Sequence, residues 1–364
     1  MIDQNKENEK LIVIAEKLIS LRKKVGLNSF LVPVNFEEER EKFFDSPNYQ
    51  PQFRYNTKEI PENIEDEIAQ LKIDVVHLQV HPQLNLHLQN YIVDLEMLLG
   101  TLRSIGTEAF TDYACDLFSE ELEDATREHF LDSEFRFENE EKGELHNAQQ
   151  IKEAFDKELE FYNLKNYSVQ IIANGPIIVA GPTRIILGED IRRYSNNVRR
   201  LIIHEVESHA IQEYNIENAL SPFLSLIPYA KMRLWSEGLA VFNEVHTNTI
   251  TRSSYLNYTK RFEAVKMMNN SFREIFDYLN ESLHEKEAYK IAFRVKRGLS
   301  DTSRPGGFPK DIAYAIGYLK VKRYVEKGNS RSFLYRIPEP EFGSLLKSLN
   351  LLPEDQIVLP KFID

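Results

Sequence analysis

LIIHEVESHAIQEY, residues 201–214, poses the question on which the reading of this chain turns. A His-Glu pair followed by a second histidine four residues on, borne on a helix, is a zinc-binding arrangement in which the glutamate serves as base. Here the histidines, His204 and His209, stand five apart. Four residues of regular helix advance about 400° and stack two rings one turn apart, whereas five advance about 500° and leave the rings roughly 140° out of line. Two geometries repair this. A π-bulge absorbs one residue and restores the alignment, and such bulges favour functional sites. Alternatively, the helix loosens at Ser208, whose hydroxyl competes for backbone groups. The competing explanation is coincidence, two histidines that fell near each other on an ordinary helix. His284-Glu285 begins a second pair of this kind, and no histidine follows it at either spacing.

WSEGLAVFNE (235–244) supplies a third candidate ligand, Glu237, 28 residues beyond His209. Catalytic zinc commonly takes two histidines and one glutamate and leaves a fourth position for water. Ser236 as N-cap predicts Glu237 in the first turn of a new helix. Glycine inside a helix costs about 1 kcal/mol against alanine, a cost that makes sense if Gly238 and Ala240 let this helix pack closely on the HEVESH helix. On its own, the segment reads first as an amphipathic helix with a solvent glutamate.

Working outward, residues 5–25 read as a helix with Leu11, Ile14, Leu18 and Leu21 on one face, followed by a proline-punctuated irregular segment around a short helix. Helical patterning returns over 62–130 and again from about Asn147 to Tyr162, with FENEEKGE (137–144) as an exposed connection. YSVQIIA, PIIVAG and TRIILGED are β-branched and bounded by Gly and Pro, which predicts a small meander or hairpin sheet over 167–188. The HEVESH helix follows directly, with Asn196 or Asn197 as N-cap. Residues 236–328 read as mainly helical apart from the loop SDTSRPGGFP (300–309), and the proline-rich tail as an extended finish. The expected division is an N-terminal extension over 1–60 and a catalytic domain over 61–364.

The 364 residues are 42% hydrophobic and 28% charged, an ordinary soluble composition. A net charge of −12 argues against nucleic acid and anionic membrane as partners. The single cysteine, Cys115, excludes an internal disulfide and any cysteine-rich zinc site, and it reads as a packed small hydrophobe. With neither a secretory leader nor a membrane span in view, the expected location is cytoplasmic. His77 and His81 have helical spacing, but Pro82 interrupts them and no carboxylate completes a set with them or with His87.

HEVESH, SEGLAVFNE and a third block, RVKRGLSDTSRPGGFPKDIAYAIGYLKV (294–321), together resemble the DUF1704 family, which includes the MATCAP tyrosine carboxypeptidases. That family's signature is an H-E-x-x-x-H helix followed by an E-G-L-A segment. Weaker likeness in QPQFRYN, GTEAFTDYACDLF and HNAQQIKEAFDKELEFY extends it over most of the chain from about residue 50; His146, in the last of these, is a weaker candidate to line the cleft, with a purely structural role as the alternative. The chain departs from the pattern at Val206-Glu207-Ser208, at Pro309 and at Ala315-Ile316, which leaves the metal set intact and bears on substrate choice.

The resemblance implies an α+β, mostly helical protein with a zincin-like metallopeptidase core and a small sheet beside the active-site helix. It implies one zinc per chain on His204, His209 and Glu237, with Glu205 as the catalytic carboxylate; Glu207, between the histidines, is a rival base expected to face away. Tyr314, in the third block, becomes the candidate donor to an oxyanion. Lys310, Arg297 and Arg304, in or beside the glycine-bearing loop, become candidates to hold a substrate carboxylate. The activity implied is zinc-dependent release of a C-terminal residue from a peptide or protein. Two alternatives stay open: a zinc hydrolase of a non-peptide amide, and a zinc-binding regulatory protein with little turnover.

Overall fold

The computed structural model describes residues 4–27, 30–56, 60–127, 140–173, 178–181, 183–354 and 356–363. The fold is α+β and mostly helical. In chain order it runs α1 (Gln4–Lys24), α2 (Phe36–Asp45), α3 (Ile64–His77), α4 (Pro82–Arg103), α5 (Phe110–Leu117), α6 (Ser119–Arg127), β1 (Leu145–Asn147), α7 (Ala148–Phe161), β2 (Ser168–Ile172), β3 (Ile178–Gly181), β4 (Arg184–Gly188), β5 (Arg192–Tyr194) and α8 (Ser195–Leu201). A π segment (Ile202–Ala210) leads into α9 (Ile211–Glu217), then α10 (Tyr229–His246), α11 (Arg252–Lys266), α12 (Phe272–Asn280), α13 (Glu285–Lys296), α14 (Ile312–Glu326), α15 (Ser332–Arg336) and α16 (Pro340–Ser348). No helix among the described residues is long and apolar enough to cross a membrane.

Two compact units share these elements, each assembled from three stretches of chain. One comprises Met1–Glu128, Ser225–Lys231 and Lys260–Ile312; the other comprises His129–Leu224, Met232–Thr259 and Ala313–Asp364. In the first unit, α1 buries Leu11, Ile14, Leu18 and Leu21 as the 3.6-residue spacing requires. An aromatic cluster joins α2 to the remote helices α12 and α13. The Phe43 ring sits 4.8–5.2 Å from those of Phe272, Phe276 and Tyr289. Arg273 lies 3.4 Å over the Phe43 ring and donates to the Phe43 and Ser46 carbonyls.

In the second unit, Asn147 and Gln150 form a reciprocal capping box at the start of α7, whose Ile151, Phe155 and Leu159 are buried at helical spacing. They pack with Val169, Ile185, Leu187, Val206 and Tyr335 in one apolar core. The three-stranded sheet has order β2-β4-β3, with β3 antiparallel and β2 parallel to β4. The β3–β4 hairpin matches the sequence reading, but β2 bypasses β3 and the sheet is not a meander. Burial accounts for this. β4 carries the fully buried Ile185 and Leu187 and takes the central position, where both of its edges are paired. The predicted sheet region also includes residues 174–177 and 182, which lie outside the described residues, as do 137–139 of the charged connection. A second ribbon, β1 against β5, was not read from the sequence because LHN and RRY are short and polar.

Other expectations need correction. The helix that leads into HEVESH starts at Ser195 with Tyr194 at its cap position. Asn196 and Asn197 instead donate to the Glu140 carbonyl (2.8 Å) and the Glu141 carboxylate (2.6 Å), tying residues 140–142 to the helix. Ser236 is no cap either; α10 begins seven residues earlier, and the Ser236 hydroxyl bonds to Gln212. The tail is not simply extended, because α15 and α16 interrupt it.

Gly238 does serve close packing, but against α14 rather than against the HEVESH segment. A Cβ built there would lie 2.2–2.6 Å from the backbone of Gly317, and one at Gly317 would lie 2.1 Å from the Leu234 carbonyl oxygen. The two backbones touch, so even a methyl must push the helices apart. Alanine for glycine gains about 1 kcal/mol of helix propensity; overpacking costs about 1–3 kcal/mol or more. Gly238→Ala is therefore expected to lower the thermal unfolding midpoint. An unchanged or raised midpoint would show that the contact gives way freely.

Candidate metal centre

The chain resolves the five-residue spacing by the first of the two geometries. From Ile202 to Ala210 the helix is π-wound, closing i→i+5 hydrogen bonds, so residues five apart stack. The His204 and His209 rings come within 4.9 Å, centroid to centroid. Side-chain hydroxyls contact two carbonyls of this stretch. The Ser208 hydroxyl donates to the Ile203 carbonyl at 2.8 Å and accepts from Asn243 at 2.9 Å. The Tyr335 hydroxyl donates to the Glu207 carbonyl at 2.7 Å.

Glu237 reaches the same point from the middle of α10. Its Oε2 lies 3.6 Å from His204 Nε2 and 3.4 Å from His209 Nε2. One donor atom from each of the three residues falls within 4.8 Å of the others, and this is the one such group among the described residues. A tetrahedral ion with ligand bonds of about 2.0–2.1 Å holds its ligand atoms about 3.4 Å apart. The glutamate-to-histidine spacings fit that figure, and two imidazoles with one carboxylate is a zinc donor set. His204 and Glu237 are buried and His209 nearly so.

Electrostatics bind this group to a further shell. Burial opposes charge on His204, but the contacts with Glu237 and Glu244 and the charge of Glu205 outweigh it and raise the ring to about 10. Glu244, which sequence reasoning missed, touches His204 Nδ1 at 2.7 Å through Oε1. That oxygen also accepts from Arg200 Nη1 and Tyr258 OH, each at 2.8 Å. The signal was present: Glu244 follows Glu237 by seven residues, two turns on the same face of α10.

Glu205 is half-buried, and its charge acts on His204 and Arg200. Glu207 faces away from the donors, as expected, and is fully buried against Tyr162 OH and Arg199 Nη2, both at 2.8 Å. Tyr314, near the start of α14, stacks at 5.3 Å on Tyr258 and lies 6.5 Å from the His204 ring. The structure thus brings Tyr314 to the histidines. The edge strand β3 runs beside the π segment.

Lys310, Arg297 and Arg304 belong to the other unit. There Asp311, fully buried, takes the Arg294 fork at 2.5 and 2.7 Å, with Arg297 at 3.9 Å and Arg261 at 4.0 Å. Burial would raise Asp311, but these guanidinium groups outweigh it and hold the carboxyl well below its usual range. Arg297 also lies over the Phe308 ring, and Arg304 pairs with Glu108 and Asp301 on the surface. Lys310 is buried. Beside them, buried Lys296 donates to the carbonyls of Met268, Asn270, Arg304 and Gly306 at 2.5–3.1 Å and so fixes the glycine-bearing loop.

His146, on β1, contacts the Ser195 hydroxyl at 2.9 Å. His77 ends α3, and His81 stands at the cap position of α4, just before Pro82, so no single helix carries both. His87 contacts the Leu226 carbonyl oxygen at 2.6 Å and is held at about 4, chiefly by burial. The unfolded ring takes a proton near 6.5 and the folded one near 4. Between those values the unfolded chain binds more protons, so stability falls as the pH drops through that window. At 1.36 kcal/mol per pH unit the loss is about 2–3 kcal/mol from pH 7 to pH 4. His87→Gln, which can still donate to Leu226, is expected to flatten this part of the stability–pH curve. An unchanged slope in urea titrations at pH 4, 5, 6 and 7 would refute the assignment.

Comparison with known proteins places the arrangement. The profile of a family described as "Microtubule-associated tyrosine carboxypeptidase" matches residues 41–338. The mouse protein "Microtubule-associated tyrosine carboxypeptidase 1" is 26% identical over 333 residues, 84% of this chain and 60% of its own length. The rat and human proteins of that name are 30% and 29% identical over 133 residues, 34% of this chain and 27% of theirs. The chain thus spans well under two thirds of the length of these relatives.

Proposed function

Since the chain belongs to the microtubule-associated tyrosine carboxypeptidase family, we propose that it is a zinc-dependent carboxypeptidase that releases a C-terminal residue, tyrosine foremost, from a cytoplasmic peptide or protein. The observation that carries this reading is the convergence of His204, His209 and Glu237, one π turn and one facing helix, with tetrahedral spacing between carboxylate and imidazoles. Those three residues would hold the zinc. Bound there, zinc supplies a Lewis acid for the scissile carbonyl and lowers the pKa of water.

The chain's own groups do the rest. Glu205, next to the first ligand, takes a proton from the attacking water and delivers it to the departing amine. Glu207 is withdrawn from that role by Tyr162 and Arg199. The Tyr314 hydroxyl donates to the oxyanion as the carbonyl becomes tetrahedral. An extended substrate pairs its backbone with the outer edge of β3, beside the π segment. A terminal carboxylate calls for a basic partner, and the basic residues singled out from the sequence, Lys310, Arg297 and Arg304, lie in the other unit.

Elemental analysis is expected to find about one zinc per chain, lost in His204→Ala and His209→Ala and kept in Glu205→Gln. Glu205→Gln is expected to abolish release of tyrosine from tyrosine-terminated peptides. Wild-type protein without zinc after reconstitution, or a Glu205→Gln variant that still turns over, would sink the reading. Loss of an oxyanion donor typically costs about 10²–10³ in kcat. Tyr314→Phe is expected to fall in that range with KM little changed; a variant within threefold of wild type would remove Tyr314 from the mechanism.

A further inference from the structure

The His204 ring is gripped on both edges by one helix. Nε2 faces Glu237 at 3.6 Å, and Nδ1 faces Glu244 at 2.7 Å. A neutral imidazole, the form a metal ligand takes, presents a lone pair at one nitrogen when it donates from the other, so a fixed acceptor at Nδ1 selects the tautomer whose Nε2 can bind a metal. Glu244 is fully buried and is itself held by two donors. Tyr258 donates to its Oε1, as does Arg200, and the Tyr258 ring lies nearly parallel to that of His204, 15° apart in plane. Arg200 is held in turn, donating from Nε to Asn197 at 2.9 Å, while Asn197 donates to Glu141. Arg200 supplies the countercharge that a buried carboxylate requires.

We propose that Glu244 is a positioning residue for the metal centre: it accepts the Nδ1 proton of His204, locks the ring and aims Nε2 at the point shared with His209 and Glu237, with Arg200 and Tyr258 as its supports. The inference rests on the zinc reading above. It assigns Glu244 no contact with the metal, since the donor atoms that converge come from the other three residues.

The test is zinc affinity by chelator competition on the full chain, with the visible spectrum of the cobalt-substituted protein as a second readout. Loss of such an outer partner typically weakens metal binding about 10–100-fold. Glu244→Ala is expected to show that loss together with shifted cobalt bands. Glu244→Gln, which keeps an acceptor oxygen facing Nδ1, is expected to recover part of it. Because Glu244→Ala strands the Arg200 charge, the double variant Arg200→Gln/Glu244→Ala removes both charges along with the acceptor and keeps the test available if the single variant fails to fold. Glu207→Gln is the control, a buried carboxylate on the same π segment that faces away from the donors. Wild-type zinc affinity and cobalt spectrum in Glu244→Ala, or in the double variant if that is the one that folds, would overturn the inference and leave the zinc reading intact. So would an equal loss in Glu207→Gln. Wild-type protein that binds no zinc would overturn both.

Discussion

One surplus residue between two histidines governs the second unit of this protein. A regular helix would turn His209 away from His204, and the chain accepts a less favourable winding over Ile202–Ala210 to bring them together. Two carbonyls of that winding also accept from side-chain hydroxyls. Ser208 serves one from within the segment, and Tyr335 serves another from α15. Asn243 of α10 donates to both hydroxyls, so the bulge, α10 and α15 are joined by one hydrogen-bond network. Residues that shape the π turn therefore belong to the centre without touching it.

Both units bury charge, and they do so in different ways. Around the histidines the buried groups are carboxylates, Glu237 and Glu244 with Glu207 behind, answered by Arg199, Arg200 and tyrosine hydroxyls. In the other unit Asp311 is set among arginines, and the Lys296 ammonium rests in four carbonyl oxygens. Burial lowers the Lys296 pKa to about 8, yet four acceptors give its proton-bearing form a complete shell. That charge ties two stretches of chain, 268–270 and 304–306, to one side chain and so constrains the glycine-bearing loop.

Angular arithmetic made the candidate centre partly legible. Five residues at 100° require either a bulge or a loosened helix, and the chain takes the bulge. Glu237 was legible as a candidate ligand by residue type, but its setting was misread. Ser-Glu-Gly resembles a helix start, whereas apolar burial of Leu234, Leu239 and Val241 carries α10 straight through it. Gly238 was correctly tied to close packing and assigned the wrong partner, since nothing in a single sequence says which helix faces which. Glu244 went unread because its role depends on Arg200 and Tyr258, which lie outside the motif. Nor could periodicity show that each unit takes three separate stretches of chain, since local spacing carries no information about long-range pairing.

The contact between Gly238 and Gly317 has a wider bearing. Glu237 adjoins the first glycine, and Tyr314 precedes the second by three residues, so a candidate ligand and a proposed donor are hung from a junction made of main chain alone. Main chain has no rotamers to exchange, so the separation it sets depends little on the neighbouring side chains. Any side chain at the junction itself pushes the two helices apart and carries these two residues with them. In a distant chain that keeps the same centre, Glu-Gly on one helix and Tyr-x-x-Gly on another should travel together. That paired signature would identify the arrangement even where the histidine spacing has drifted.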